Sequence, residues 1–381
     1  MSSGAGTSGN GPAAGDGPAL PAASEVPKMH LGLPSPTIAP LETAEWADVA
    51  RMVERHGFDC LWHSNERFYR EMFVRMTVST LATSRIGIGG AIAEPYAVHP
   101  AVTAQSLATV HEVSGGRAAI AMGAGASGFP MMGIERRRPA AALRDAVRIV
   151  RGMLAGEDVT VEGEGGSASA RGAHLHFSPP QPPAPVWIAT RGDRTLRVAG
   201  EVADGALLAT HAQPEQVAAA LELVRRGERE AERAAGEVRA MARVDTCVHA
   251  DGERAVEGSR KMVAKLLWTS YPDRKFVERA GLEVPGGLEE LIAKRDYDLL
   301  EGAGELVPDE LVGAFCWAGT PAALVERVAA VSERTGLREL GFWLLTAPGQ
   351  TLSEAIELLA GEVLPGVRER LAGVGAEAAE R

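Results

Sequence analysis

Residues 85–129 read RIGIGGAIAEPYAVHPAVTAQSLATVHEVSGGRAAIAMGAGASGF, and the fold turns on this stretch. Ile86 to Ile92 is apolar and Gly-rich, as suits a parallel strand buried on both faces and closely approached by another backbone or a ligand. It breaks at Glu94-Pro95-Tyr96. His99-Pro100 then opens a helix, with Pro where a first-turn residue needs no donor. That helix carries Val102, Leu107 and Val110 and stops before Ser114-Gly115-Gly116. A second strand, Ala118 to Met122, runs into Gly123-Ala124-Gly125-Ala126-Ser127-Gly128. A Gly-rich turn after a buried strand exposes backbone N–H groups suited to phosphate. The pattern is a βαβ unit with a special feature at the end of each strand.

Around this unit the chain repeats the rhythm. Met29 to Leu33 is a strand stopped by Pro34-Ser35-Pro36, followed by a helix from Leu41 to His56 that ends at Gly57. Phe58 to Trp62 is a second strand ending in His63-Ser64-Asn65-Glu66-Arg67, with a helix near Glu71 to Thr83 behind it. Past the opening stretch come a helix over Pro139 to Leu154 and an alternating hairpin at 159–177. Strands at Pro185 to Ala189, Asp204 to Leu208 and Arg243 to Val248 follow, with a charged helix from Pro214 to Ala235 between the last two. Residues 253–312 are helical and polar, too long for a connection and so an insertion. Thr320 caps a helix over Ala322 to Thr335; Glu339 to Leu345 is the eighth strand, and a last helix covers Leu352 to Leu364. Eight strands alternating with helices predict an α/β fold, a (β/α)8 TIM barrel with a β-hairpin insertion and a helical insertion before the last strand. The expected body is 28–372, between a disordered tail at 1–27 and a second tail at 373–381. In such a barrel all strand ends face one mouth, where a site belongs.

Composition narrows the function. The 381 residues carry a net charge of −11 and no Lys/Arg run, which argues against a nucleic-acid surface. Cys60, Cys247 and Cys316 are scattered without CxxC spacing, which points to a reduced, cytoplasmic protein rather than a disulfide or zinc framework. No apolar run reaches the roughly 20 residues of a membrane helix. His174 and His176 alternate in the hairpin without a third ligand, so no metal is expected.

Several segments together resemble the bacterial-luciferase-like flavin oxidoreductase superfamily, nearest the coenzyme F-420-dependent methylenetetrahydromethanopterin reductase branch. They are Phe58-Asp59-Cys60-Leu61-Trp62 with Asn65-Glu66, Ala93-Glu94-Pro95-Tyr96-Ala97-Val98-His99-Pro100, and Ser114-Gly115-Gly116-Arg117 leading into Gly123-Ala124-Gly125. Ala199 to Gly205, Val307 to Val312 and Ala318 to Pro321 complete the set. The resemblance implies a TIM barrel holding a deazaflavin, coenzyme F-420, in its mouth, with FMN as the alternative. It implies a non-prolyl cis peptide at Ala91-Ile92 behind the ring. It implies cofactor contacts from Asn65, Ala91, Ile92, Ala93, Gly123, Ala124, Gly125, Ala126, Thr190, Arg191 and Gly192, and a homodimer.

The family's acidic positions are altered: Pro34 and Ala126 stand where relatives tend to carry acids, and Asn65-Glu66 replaces a common Asp-His pair. Glu66, Glu94 and His63 are left as proton-transfer candidates, since an acid beside an apolar ring is tuned towards neutrality by desolvation. His99 is read as a helix cap. The expected function is hydride transfer between reduced F-420 and a small organic substrate. Its rivals are an FMN-dependent monooxygenase fed by a separate flavin reductase, and a barrel that binds a flavin without turning it over.

Overall fold

The computed structural model describes residues 26–33, 41, 42, 44–125, 128–163, 168–209, 212–296 and 298–379. Pro34, Ala126 and the 1–25 part of the expected tail lie outside them. The chain begins with strand β1 (Lys28–Gly32), helix α1 (Glu45–Arg55), β2 (Cys60–Ser64), α2 (Met72–Ala82), β3 (Gly87–Ala93), α3 (Pro100–Val113), β4 (Ala118–Met122) and α4 (Pro139–Leu154). A two-stranded antiparallel hairpin follows, β5 (Val159–Val161) and β6 (Ala170–Ala173). Next come β7 (Val186–Thr190), α5 (Asp193–Val202), β8 (Gly205–Ala209), α6 (Pro214–Glu230) and β9 (Arg239–Val248). The helical insertion holds α7 (Gly252–Ser270), α8 (Lys275–Arg279), α9 (Gly286–Ala293), α10 (Leu300–Ala303) and α11 (Asp309–Phe315). The chain returns through β10 (Cys316–Gly319), α12 (Pro321–Thr335), β11 (Glu339–Leu345), α13 (Leu352–Leu358) and α14 (Leu364–Ala379).

Strands β1, β2, β3, β4, β7, β8, β9 and β11 pair in parallel in that order, and β11 returns to β1, so the (β/α)8 barrel closes. The caps follow the sequence signals. His99 accepts from Ala101 N–H at 3.2 Å with Pro100 opening α3, and Thr320 accepts from Ala323 N–H at 3.4 Å with Pro321 opening α12. No helix among the described residues is long and apolar enough to cross a membrane.

Several elements differ from the expectation. Strand β9 starts at Arg239 rather than Arg243, because its polar inward residues hide the lower half of the strand from an apolar pattern. The short β10 was not expected; four residues that pair only with the upper half of β9 leave no period to read. Helix α6 ends at Glu230 rather than Ala235, while the last helix, with one π turn at Leu359–Val363, continues past Leu364 to Ala379.

The barrel interior is built on an interlock of large and absent side chains. Trp62, Trp187 and Trp343 point inward and are buried. Each faces a glycine on the next strand: a Cβ on Gly89, Gly205 or Gly32 would fall 2.3, 2.3 and 2.2 Å from the ring of Trp62, Trp187 and Trp343. The Trp62 and Trp187 rings meet edge to face at 6.0 Å. Beneath them a charged plug closes the N-terminal end. Arg239 grips Glu339 with two hydrogen bonds of 2.6 and 2.9 Å, and His30 adds a contact at 3.1 Å. Trp62 Nε1 donates to the other His30 ring nitrogen at 3.2 Å. Burial pushes the Glu339 carboxyl up, but the His30 and Arg239 hydrogen bonds outweigh it and bring the group down to about 2.

A folded carboxyl held below its ordinary 4.5 contributes stability above that pH and loses it as pH falls towards about 2. Urea unfolding across this window should show such a loss in the native chain. Glu339→Gln should remove that acid limb and cost about 1–2 kcal/mol at pH 7 through the weakened charge-assisted hydrogen bonds, the exposed Arg239 remaining solvated.

Candidate active site at the barrel mouth

The C-terminal strand ends form a mouth whose backbone is shaped at the end of β3. Ala91-Ile92 is a cis peptide, as the resemblance implied. The register of β3 against β4 skips a residue between Ala91 and Ala93, so Ile92 bulges out of the ladder. Asn65 pins this bulge twice: its backbone N–H donates to Ala91 O at 3.1 Å and its side-chain amide to Ile92 O at 3.0 Å. Gly123 N–H takes the third carbonyl, Ala93 O, at 2.9 Å. Glycine at 123 allows this close approach, since a Cβ there would lie 2.7 Å from the tip of the Ile92 side chain and 3.1 Å from Ala189 O. Asn65, Ala91, Ile92, Ala93 and Gly123 therefore form one connected wall. Ala124 is half-buried beside it, and Arg136 donates to Gly125 O at 2.5 Å.

On the neighbouring turn Thr190 accepts from Gly192 N–H at 3.1 Å, which sets the start of α5. Arg191 reaches across the mouth to the hydroxyls of Thr269 and Ser270 on α7, with its guanidinium 5.4 Å from the Phe276 ring centre. Burial and the nearby Arg243 pull this guanidinium down to about 10. The insertion is tied to the barrel twice more. Lys265 donates to Glu66 at 2.8 Å, and Arg279 makes paired bonds of 2.7 and 2.6 Å to Asp193.

The three proton-transfer candidates have distinct positions. Glu94 is buried; one oxygen accepts from Tyr96 and Ala97 N–H at 2.7 and 3.0 Å, and the other pairs with Arg67. It builds the turn after β3. Glu66 joins the mouth to α7 through Lys265. His63 does not reach the mouth: Cys60 and Trp62 point inward, so the alternation turns His63 to the helix side. There it is fully buried, and burial, reinforced by Arg75, pushes its imidazole down to about 3.

Asp245 and Arg243 were absent from the sequence-derived set. Both belong to the inward face of β9, where Arg239, Met241, Arg243 and Asp245 alternate with apolar outward residues. Asp245 lies level with the inward Trp343 in the β11 register, and Arg243 covers the Trp343 ring at 4.6 Å while donating to Asp245 at 2.9 Å. The signal that finds them is charge at inward positions of a barrel strand, a placement that costs free energy unless paired.

With this geometry in hand, the profile of the luciferase-like monooxygenase family matches residues 29–339. The chain belongs to the luciferase-like monooxygenase family. Within it, the chain is 30% identical to the 5,10-methylenetetrahydromethanopterin reductase of Methanolobus tindarius, over 84% of this chain and 95% of that protein. It is 29% identical to the F-420-dependent glucose-6-phosphate dehydrogenase of Rhodococcus erythropolis, over 85% of this chain and 94% of the other. Among solved structures, the coenzyme F-420-dependent tetrahydromethanopterin reductase of Methanopyrus kandleri superposes with a TM-score of 0.73 at 26% identity, covering 90% of this chain and 99% of that one. The luciferase-like architecture thus extends over the barrel and its insertion.

Because Glu94 is spent on Arg67 and the turn, Glu94→Gln should lower stability by about 3 kcal/mol, the cost of breaking a buried pair. The urea midpoint is the measurement.

Proposed function

We propose that this chain is a coenzyme F-420-dependent oxidoreductase that moves a hydride between the deazaflavin and a small organic substrate. The observation that carries the reading is the Ala91–Ala93 bulge, whose three carbonyls are all held by Asn65 and Gly123 so that Ile92 is presented to the mouth. The relatives named F-420-dependent support the deazaflavin over FMN. The residues fit such a group. The bulge and Gly123 offer a flat, close backbone wall, and Arg191, Arg243 and Arg136 bring positive charge to a chain of net charge −11.

Asn65, Ala91, Ile92, Ala93, Gly123, Ala124 and Gly125 would hold the ring side, and Thr190, Arg191 and Gly192 the phosphate side. When bound, the deazaflavin supplies the two-electron carrier. The protein fixes orientation through the Asn65-pinned wall. It also excludes water with the insertion that Lys265 and Arg279 fasten to Glu66 and Asp193.

Titration of the purified chain with F-420 and with FMN tests this reading. Micromolar F-420 binding, weakened at least tenfold by Asn65→Ala, is expected. FMN binding without F-420 binding would establish the monooxygenase alternative, with a separate flavin reductase as its partner.

The chain is also proposed to form a homodimer. Val74 and Leu81 on α2 and Val102 and Val113 on the adjoining α3 are exposed apolar side chains on neighbouring helices. Light scattering should return twice the 40.0 kDa chain mass, and a 40.0 kDa particle would exclude the dimer.

A further inference from the structure

Outside the barrel, one face of α4, one face of α5 and the last turn of α6 line a cavity of about 870 Å³. None of the residues placed at the mouth takes part in it. Glycine gives the cavity its form. A Cβ on Gly200 would fall 2.0 Å from Val224 O, and one on Gly227 2.0 Å from Arg197 O, so α5 and α6 meet backbone to backbone. With 10 residues between helices of 16 and 17, α5 leaves a trough beside it. Six arginines line this trough: Arg138, Arg144, Arg148 and Arg151 along α4, and Arg194 and Arg197 on α5. Only two acids, Glu201 and Glu230, line it with them. Glu201 accepts from Arg144 at 2.8 and 2.7 Å and from Arg148 at 3.0 Å, so one carboxylate orients two guanidiniums. Asp204 holds Arg151 at 2.9 Å, and Glu230 is taken by Arg226 at 2.7 Å. Arg194 and Arg197 have no hydrogen-bond or ion-pair partner among the described residues. In a chain of net charge −11, this is a concave surface of the opposite sign, which concentrates anions.

We propose that this trough is a second ligand site, separate from the mouth, and that its ligand is an elongated polyanion of the oligophosphate class. The site stands independently of the deazaflavin reading. Guanidinium forks pair with phosphate oxygens two at a time, and Arg194 and Arg197 have that capacity unspent. The charge is spread rather than focused. From Arg138 to Arg151 the cationic edge of α4 runs for about 20 Å, more than a single phosphate can span. Within that edge Arg144, Arg148 and Arg151 follow at i, i+4 and i+7, and Arg194 and Arg197 at i and i+3, spacings that put neighbouring side chains about 5–6 Å apart. Such close spacing suits a chain that carries charge at every link, as phosphoanhydride chains do. No aromatic ring lines the trough, so a nucleotide base would find nothing to stack on. Glu201 braces the α4 arginines from within, which fixes their direction at the cost of part of their charge.

The test is calorimetric titration of the full chain, at fixed ionic strength, with tripolyphosphate, orthophosphate and tetraglutamate. Tripolyphosphate should bind once per chain, with orthophosphate about 30-fold weaker because it cannot engage both walls. Tetraglutamate should bind about tenfold more weakly than tripolyphosphate. The double variant Arg194→Gln/Arg197→Gln should weaken tripolyphosphate roughly tenfold. The control Arg51→Gln/Arg55→Gln takes the same charge from α1, which does not line the trough, and should change the affinity by less than about twofold. Equal weakening by the two double variants would reduce the binding to general charge attraction and overturn the site, as would the lack of saturable binding to the wild type. Tighter binding of tetraglutamate than of tripolyphosphate would overturn the phosphate assignment. The titration is repeated with saturating F-420. Unchanged tripolyphosphate affinity is expected, and its loss would make the trough part of the cofactor's own site and overturn the second one.

Discussion

The barrel depends on indole rings occupying space that three glycines leave open. Trp62, Trp187 and Trp343 each fill the position of the side chain missing from Gly89, Gly205 and Gly32. A one-residue slip in any of these strands would turn its tryptophan outward and put a Cβ into a ring. The interlock therefore fixes the register of strands far apart in sequence, and with it the height at which each ends. Asn65 can reach two successive carbonyls of β3 only because β2 and β3 stop at matched heights.

Charge is sorted along the barrel axis. At the closed end, Glu339 is fully engaged by Arg239 and His30, and the cluster is structural. At the open end, Arg191, Arg243 and Arg136 outnumber Asp245, and the carboxylates Glu66 and Glu94 are held by Lys265 and Arg67. The same residue types thus act as a plug below and leave acceptor and cationic capacity above. The insertion takes part in this sorting, because two of its basic residues, Lys265 and Arg279, are spent on acids of the barrel rim.

Much of this is legible in the sequence. Period and punctuation placed all eight barrel strands, and α4 was read to its end residues because Pro139 and Gly156 bracket an unbroken amphipathic run. The cis bond at Ala91-Ile92 came from resemblance; nothing in GIGGAIA encodes it locally. His63 stands at a strand end and reads as a mouth candidate, while the alternation anchored by the inward Trp62 places it on the helix side. Asp245 escaped for a related reason. A strand carrying Arg239, Arg243 and Asp245 on its inner face looks like a polar segment, and its partners Trp343 and Arg191 are remote in sequence.

The tryptophan–glycine interlock also bears on how such a chain can vary over generations. A glycine that faces a tryptophan ring cannot enlarge by itself, so substitutions at Gly89 and Trp62, or at Gly205 and Trp187, are coupled and strongly non-additive. The glycines of the helical insertion meet no tryptophan ring, so change there leaves the barrel interior intact.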